Sequence, residues 1–306
     1  MDSPHRQRIL VVWYNDYTYS FDHAVFKWPG YNNPGSYTVE VNAGAGGADP
    51  PKDGWIVVDS LRGNSLHSRE HLLTFAGYNW LRLNFSAADG SPQNMDISGK
   101  VDIYEGNDAI DKGWLFAGDS ITANAMGHSN LGGVTADSFG NQVARLTGDV
   151  PIEENAGMPG WLAGTAIPYL PIWLKAFPGK YVTLNFGTND ASGVPAKEYY
   201  SNMSTLVQLV LSVGKVPVIP TIPWASRPDL VASIPALNGE IRRLLANIPC
   251  IVPGPDLYAY FNTNRLLISG DGIHPTDAGL AALRGLWADT AARISPPAAC
   301  VQTSKF

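Results

Sequence analysis

Near Gly113 the period of the hydrophobic pattern changes, and a chain that changes period must build two different kinds of layer. Before that point the apolar runs are short and several alternate. Ile9 to Trp13, Tyr37 to Val41, Trp55 to Val58, Trp80 to Phe85 and Lys100 to Tyr104 all read as strands. In the fourth of these, period two places Leu81, Leu83 and Phe85 on one face. Turn chemistry separates the runs at Pro29-Gly30, Asn33-Pro34-Gly35, Gly44 to Pro51 and Asp89-Gly90. A β-sandwich or jelly roll over residues 1–110 is expected, interrupted by a helical segment near Ser68 to Phe75.

After Gly113, buried strand runs alternate with helical patterns. The runs are Gly113 to Gly118, Pro151 to Asn155, Tyr181 to Gly187, Val216 to Ile222 and Pro249 to Val252. Between and after them, helices are expected over Ala196 to Val213, Ile234 to Asn247 and Thr276 to Ile294, the last behind a Thr276 N-cap. Such alternation predicts a parallel sheet with helices on both faces over residues 111–306, joined to the first half through the polar stretch Gly106 to Lys112.

Composition narrows the function. Hydrophobic residues at 45% and charged residues at 16% can bury a large core. A formal charge of -6 with no basic stripe argues against a nucleic-acid partner, which needs a basic surface. The longest apolar stretch, Leu206 to Val213, is far short of a membrane span. Met1 to Arg8 lacks the apolar core of a secretory leader. A secreted or periplasmic location is expected, with a leader outside this sequence, and a cytoplasmic one stays open. The oligomeric state is not legible. The two cysteines, Cys250 and Cys300, exclude a thiolate zinc site and leave two possibilities, one bridge pinning the C-terminal tail or ordinary core packing.

The residues suited to chemistry follow the strands of the second half. Gly118-Asp119-Ser120 ends the first run, which puts Ser120 at the carboxyl end of a parallel strand, where open α/β sheets bind ligands. The next runs end at Asn155-Ala156-Gly157 and Gly187-Thr188-Asn189-Asp190, so two more polar turns arrive at the same crevice. Ester cleavage through a serine needs donors aimed at the tetrahedral oxyanion, and the N–H groups of Ser120 and Gly157 with the Asn189 amide could supply them. Asp271-Gly272-Ile273-His274 places a carboxylate three residues before a histidine. Asp271 could then accept the Nδ1 proton while Nε2 faces Ser120 as general base. These blocks in this order would arise by chance in about one chain in several hundred, so they are treated as one constellation.

From Gly113 to Ile294 the sequence resembles the SGNH hydrolases, also called GDSL esterases and lipases. The resemblance implies a flavodoxin-like α/β/α fold and a serine esterase with no metal or organic cofactor. Its four blocks map onto Ser120, Gly157, Asn189 and His274, with Asp271 completing the triad. The sequence departs at Ile121, where the family's short name has leucine. A β-sandwich ahead of such a domain is similar to the arrangement in some carbohydrate esterases, which implies acetyl esters of polysaccharides or small molecules as substrates. Alternatives are a lipase or arylesterase of broader acyl range, or a carbohydrate-binding protein with an inactive hydrolase-like domain.

Other candidates are weighed against ordinary structural roles. Met158, Trp161 and Trp224 follow strand ends and could line an acyl pocket or pack on the sheet. Asp190 reads as a structural hydrogen-bond partner, and His128 is a rival base without a carboxylate at comparable spacing. His67, Glu70 and His71 would face a metal only on a helix, and Gly44 to Gly47 is read as a turn. Trp13, Tyr14, Tyr17, Tyr19, Trp28 and Tyr31 are read as core aromatics before a sugar-stacking surface.

Overall fold

The alternating runs of the first half pair edge to edge, and those of the second half lie parallel under helices. The computed structural model describes residues 8–14, 34–64, 68–88, 100–105, 112–126, 138–177 and 179–295. The chain forms two units, Met1–Asp108 and Ala109–Phe306.

In the first unit the strands are β1 (Arg8–Tyr14), β2 (Pro34–Asn42), β3 (Ile56–Arg62), β4 (Ser68–Thr74), β5 (Trp80–Ala88) and β6 (Lys100–Glu105). They make two three-stranded antiparallel sheets, ordered β4-β1-β6 and β3-β2-β5. Period two decides what is inside. Ile9 and Val11 of β1, Tyr37, Val39 and Val41 of β2, and Leu73 of β4 join Phe75 in one hydrophobic cluster, with Leu61, Leu81 and Leu83 packed against it.

The helix expected near Ser68 to Phe75 is instead β4, paired with β1 so that Val11 lies opposite His71. His71, Leu73 and Phe75 are buried while the intervening Leu72 is 39% exposed, so strand pairing and a half-buried face outweighed the helical spacing. The metal reading needed a helix and the segment is a strand, so its spacing argument no longer holds; the side chain of Glu70 and all of His67 lie outside the described residues. Of the proposed N-terminal aromatic surface, Tyr17, Tyr19, Trp28 and Tyr31 also lie outside them, as do the side chains of Trp13 and Tyr14.

His71 links the two sheets. Its Nδ1 lies 2.6 Å from the Asp59 carboxylate of β3 and its Nε2 2.6 Å from the Tyr37 hydroxyl of β2. Because a carboxylate only accepts, the ring proton sits on Nδ1 and Tyr37 donates to Nε2.

The second unit comprises β7 (Trp114–Gly118), α1 (Ser120–Met126), α2 (Phe139–Thr147), β8 (Glu153–Gly157), α3 (Ala163–Ala166), α4 (Leu170–Ala176), β9 (Tyr181–Asn185), α5 (Ala196–Ser212), β10 (Val216–Ile219), α6 (Pro228–Val231), α7 (Ser233–Asn247), β11 (Val252–Pro253), α8 (Leu257–Thr263) and α9 (Asp277–Arg293). The five strands form a parallel sheet ordered β11-β10-β9-β7-β8. The chain leaves β7 for β8 on one side and then crosses to β9 on the other. The carboxyl end of β7 is therefore the switch point of a doubly wound sheet.

Aromatic packing fixes β7 under α9. Trp114 stacks on Tyr181 at 4.8 Å between ring centres, and Trp287 of α9 meets Phe116 edge-on at 5.6 Å. The N-cap expected for α9 is present, with Thr276 Oγ1 accepting from the Gly279 N–H at 3.2 Å. Cys250 is disulfide-bonded, and the sequence holds a single other cysteine, Cys300, which lies outside the described residues. No helix among the described residues is long and apolar enough to cross a membrane.

Burial pushes the His71 imidazole below its ordinary range, outweighing the opposite pull of Asp59. Unfolded, His71 takes up a proton at about pH 6.5; folded, it does so only at lower pH. Below about 6.5 the unfolded state binds more protons, so this contribution to stability falls on acidification until the folded value is passed. Amide exchange of β2 and β4, corrected for intrinsic rates, should show less protection at pH 5.5 than at 7.5. Constant protection would remove His71 from that role.

Candidate active site

Three strand ends meet at one level. Gly118 pairs with Gly157 on one side and with Asn185 on the other, so the turns that follow β7, β8 and β9 share one crevice. Ser120 opens α1 immediately beyond Gly118 and is 9% exposed. Its Oγ lies 2.8 Å from His274 Nε2, and His274 Nδ1 lies 2.6 Å from Asp271 Oδ2. A hydroxyl, an imidazole and a carboxylate are thus joined in one hydrogen-bonded chain.

The loop that carries the last two groups is closed on itself. The Ser269 N–H donates to the His274 carbonyl at 2.8 Å, the Thr276 N–H to that of Leu267 at 2.8 Å, and Ile268 bridges to Pro275. The Ser226 N–H donates to the Gly272 carbonyl at 2.8 Å, which ties this loop to the one after β10. Desolvation pulls the Asp271 carboxyl upward. Donation from the His274 ring, from the Ile273 and His274 N–H groups and from the Ser269 hydroxyl outweighs it and holds Asp271 well below the usual carboxylate range. Asp271 therefore stays an anion when the imidazole beside it gains a proton.

The oxyanion side departs from expectation at one position. The Gly157 N–H donates to Asn155 Oδ1 at 2.9 Å within a buried strand end, so it is not the open donor that its place in the motif suggested. Glycine is required there for space. A Cβ at 157 would sit 2.3 Å from the backbone nitrogen of Ala123, because α1 packs directly on β8. Three residues on, Gly160 has φ +77 and is exposed, in a turn closed by the Trp161 N–H donating to the Met158 carbonyl at 3.2 Å. Asn189 Nδ2 donates to the Trp161 carbonyl at 3.1 Å, which brings Gly160 and Asn189 into the same corner. One amide hydrogen of Asn189 is spent on that orientation, and the group carries two. Pro159-Gly160 was the signal in the sequence, a turn pair that needs φ above zero at its glycine.

Met158 and Trp161 do not present their side chains to a cleft. They are 2% and 4% exposed, and Trp161 packs on Tyr169 and Trp173, so their apolar bulk serves the core. Trp224 is partly buried against the sheet's hydrophobic cluster, with the Arg265 guanidinium 4.6 Å above its ring. Asp190 is fully buried and accepts from the Ala163 N–H with both oxygens, at 3.2 and 3.1 Å, the structural role expected of it. Burial lifts its carboxyl to about 6. His128 lies outside the described residues.

The sequence reading missed Asp119. It is 2% exposed, accepts from the Ile121 N–H at 2.9 Å, and burial lifts its carboxyl to about 7. The strand ends are further cross-linked by Asn185 Nδ2 donating to Thr122 Oγ1 at 2.8 Å and Asn155 Nδ2 donating to the Ala123 carbonyl at 3.1 Å. Among the described residues no group of three or more His, Cys, Asp or Glu side chains is gathered as a metal site would need.

Residues 116–282, more than half of the chain, match the model of the GDSL-like lipase/acylhydrolase family. The chain belongs to this family. Membership makes hydrolysis of acyl esters its general activity. The lipase/acylhydrolase from Enterococcus faecalis is similar at 23% identity with a TM-score of 0.50, over 60% of this chain and 98% of that one. The psychrotrophic esterase EstA from Pseudoalteromonas sp. is 17% identical with a TM-score of 0.46, over 58% of this chain and 96% of that one. No curated protein matches the chain.

Gly157→Ala should destabilise the fold by about 3 kcal/mol or more, since its Cβ meets backbone that cannot yield without opening the β7–β8 ladder. Gly160→Ala, the same change in an exposed turn, should cost about 1 to 2 kcal/mol from φ alone. Calorimetric melting of the two variants decides, and equal melting temperatures would contradict the steric account.

Proposed function

We propose that the second unit is a serine esterase in which Ser120, His274 and Asp271 form the catalytic triad. The observation that carries this reading is the chain from Ser120 Oγ through His274 to Asp271, with links of 2.8 and 2.6 Å. His274 Nε2 takes the hydroxyl proton as Oγ attacks the ester carbonyl, and Asp271 holds the resulting imidazolium in place. Collapse of the tetrahedral intermediate passes that proton to the departing alcohol and leaves an acyl-enzyme. Water, deprotonated by the same imidazole, then releases the acid.

The oxyanion would rest on the Ser120 N–H, the second Asn189 amide hydrogen and the Gly160 N–H in place of that of Gly157. Support for Gly160 is its exposed, left-handed turn beside the carbonyl that orients Asn189.

The substrate in this reading is a short-chain acyl ester, most simply an acetate carried on a carbohydrate. Gly160 and Asn189 of the proposed oxyanion corner, and Gly272 on the loop that carries His274, are small or polar, which suits a short acyl group and a hydroxyl-rich alcohol better than a long alkyl chain. The two sheets of the first unit are read as a β-sandwich, supported by the single hydrophobic cluster to which both contribute. The Cys250 disulfide favours an oxidising, extracytoplasmic setting.

Ser120→Ala should lower turnover by about 10⁴ to 10⁶ and abolish labelling by a fluorophosphonate. Asn189→Ala should cost about 10² to 10³ in kcat. Loss within about threefold for Asn189→Ala would take that amide out of the oxyanion site, and a wild-type chain that does not react with the fluorophosphonate would overturn the triad. Acetate esters should be cleaved faster than decanoates, and acetate should be released from an acetylated polysaccharide. The reverse chain-length preference would favour the lipase alternative.

A further inference from the structure

We propose that Arg284, a buried cation to which the esterase mechanism gives no task, is a positioning residue for acyl transfer: from α9 it holds the far end of α1 and so keeps Ser120 in register with His274. The proposal rests on the triad reading above.

Both reacting groups sit at the start of a helix, and the two helices are joined again further on. α1 opens on Ser120, and Ala125 is its last residue but one. α9 opens at Asp277, shortly beyond His274, and Arg284 lies about two turns along it. Arg284 is 3% exposed, and its Nη1 donates to the Ala125 carbonyl at 3.1 Å. The pair is therefore closed by a hydrogen bond at each end, Ser120 to His274 at 2.8 Å and Arg284 to Ala125 at 3.1 Å. One bond alone leaves the angle between two helices free. A second fixes it.

α1 depends on such outside holds. With 7 residues it is too short to keep its shape unaided, and its last four carbonyls lack partners inside the helix. Side chains reach those carbonyls from two directions. Asn155 Nδ2 donates to that of Ala123 at 3.1 Å from β8, and Arg284 donates to that of Ala125 from α9. Asn155, with Asn185 on Thr122, refers α1 to the sheet. Arg284 refers it to the helix behind the base. Because His274 arrives on the loop before α9, the distance between the reacting atoms is governed by this second reference.

The chemistry of the side chain fits that task. A guanidinium keeps its charge when buried, and it lies here at the negative end of the α1 dipole. Ile121 and Ala125 of α1 belong to the same hydrophobic cluster as Leu280 and Leu283 of α9, so apolar packing is already present between the helices. Such packing tolerates a range of angles, whereas a bond to a single carbonyl does not.

Arg284→Met keeps the apolar stem and removes the donor. Assayed in the full chain on an aryl acetate, it should lower kcat by about 10- to 100-fold with KM within about threefold of the wild type, since a small misplacement of the nucleophile costs rate before it costs binding. The rate of fluorophosphonate labelling should fall in parallel. Arg284→Lys restores a cationic donor and should recover kcat to within about threefold. A folded Arg284→Met protein with wild-type kcat and labelling rate would overturn the proposal while leaving the esterase reading intact. If that variant does not fold, as judged by near-UV circular dichroism, Arg284→Gln, whose shorter amide stops short of Ala125, takes its place with the same two outcomes. In every case a folded Arg284→Lys protein slowed more than about tenfold overturns the proposal, because the donor is back and the rate is not. Wild-type protein inert to a fluorophosphonate would sink both readings.

Discussion

The hydrogen bond between Ser120 and His274 joins residues 154 positions apart, and nothing local to either could form it. It depends on the strand order. With β7 between β8 and β9, the first turn of α1 emerges at the switch point on the sheet's carboxyl edge, and the turns after its two neighbours flank it. The loop before α9 then has to arrive above that point. Packing of Trp287 on Phe116 ensures that it does, because it seats α9 over β7 and so fixes where the loop begins. A rearranged core would leave each reactive residue in place along the chain and separate them in space.

Around this bond the second unit uses buried polar side chains as fasteners. Asn155 and Asn185 hold α1 to the two strands beside it, and Asn189 and Asp190 reach back to Trp161 and Ala163. Each of these groups would be costly to bury without its partner, so each fixes a distance as well as lending stability. The turns of the proposed site have few apolar atoms of their own, and this network gives them the rigidity that packing gives the sheet. The first unit solves a similar problem once, where Asp59, His71 and Tyr37 link two sheets.

Several features were legible along the chain because they are set locally. Helix α9 begins at its Thr276 cap, strands β7 to β9 end at small or amide residues, and the Asp271 to His274 spacing closes within a single loop. Others were not. The spacing of His67, Glu70 and His71 suits a helix, yet the edge of β1 offered a partner and an interior face, and the segment became a strand. Met158 and Trp161 follow a strand end as pocket residues often do, but the direction of their side chains was decided by the core that formed beneath them.

By itself the sequence determined the two kinds of layer and the order of the parallel strands' polar ends, and it singled out the serine, histidine and aspartate of the proposed triad, since these follow from hydrophobic period and short-range spacing. Tertiary structure alone decided which glycine faces outward, Gly160 and not Gly157, and that a carboxylate lies buried beside the serine. Both depend on how closely α1 presses on β8 and how deeply Asp119 is covered. Residue order carries no information about which backbone N–H groups a neighbouring segment will occupy, because that is fixed only when segments distant in the chain come into contact.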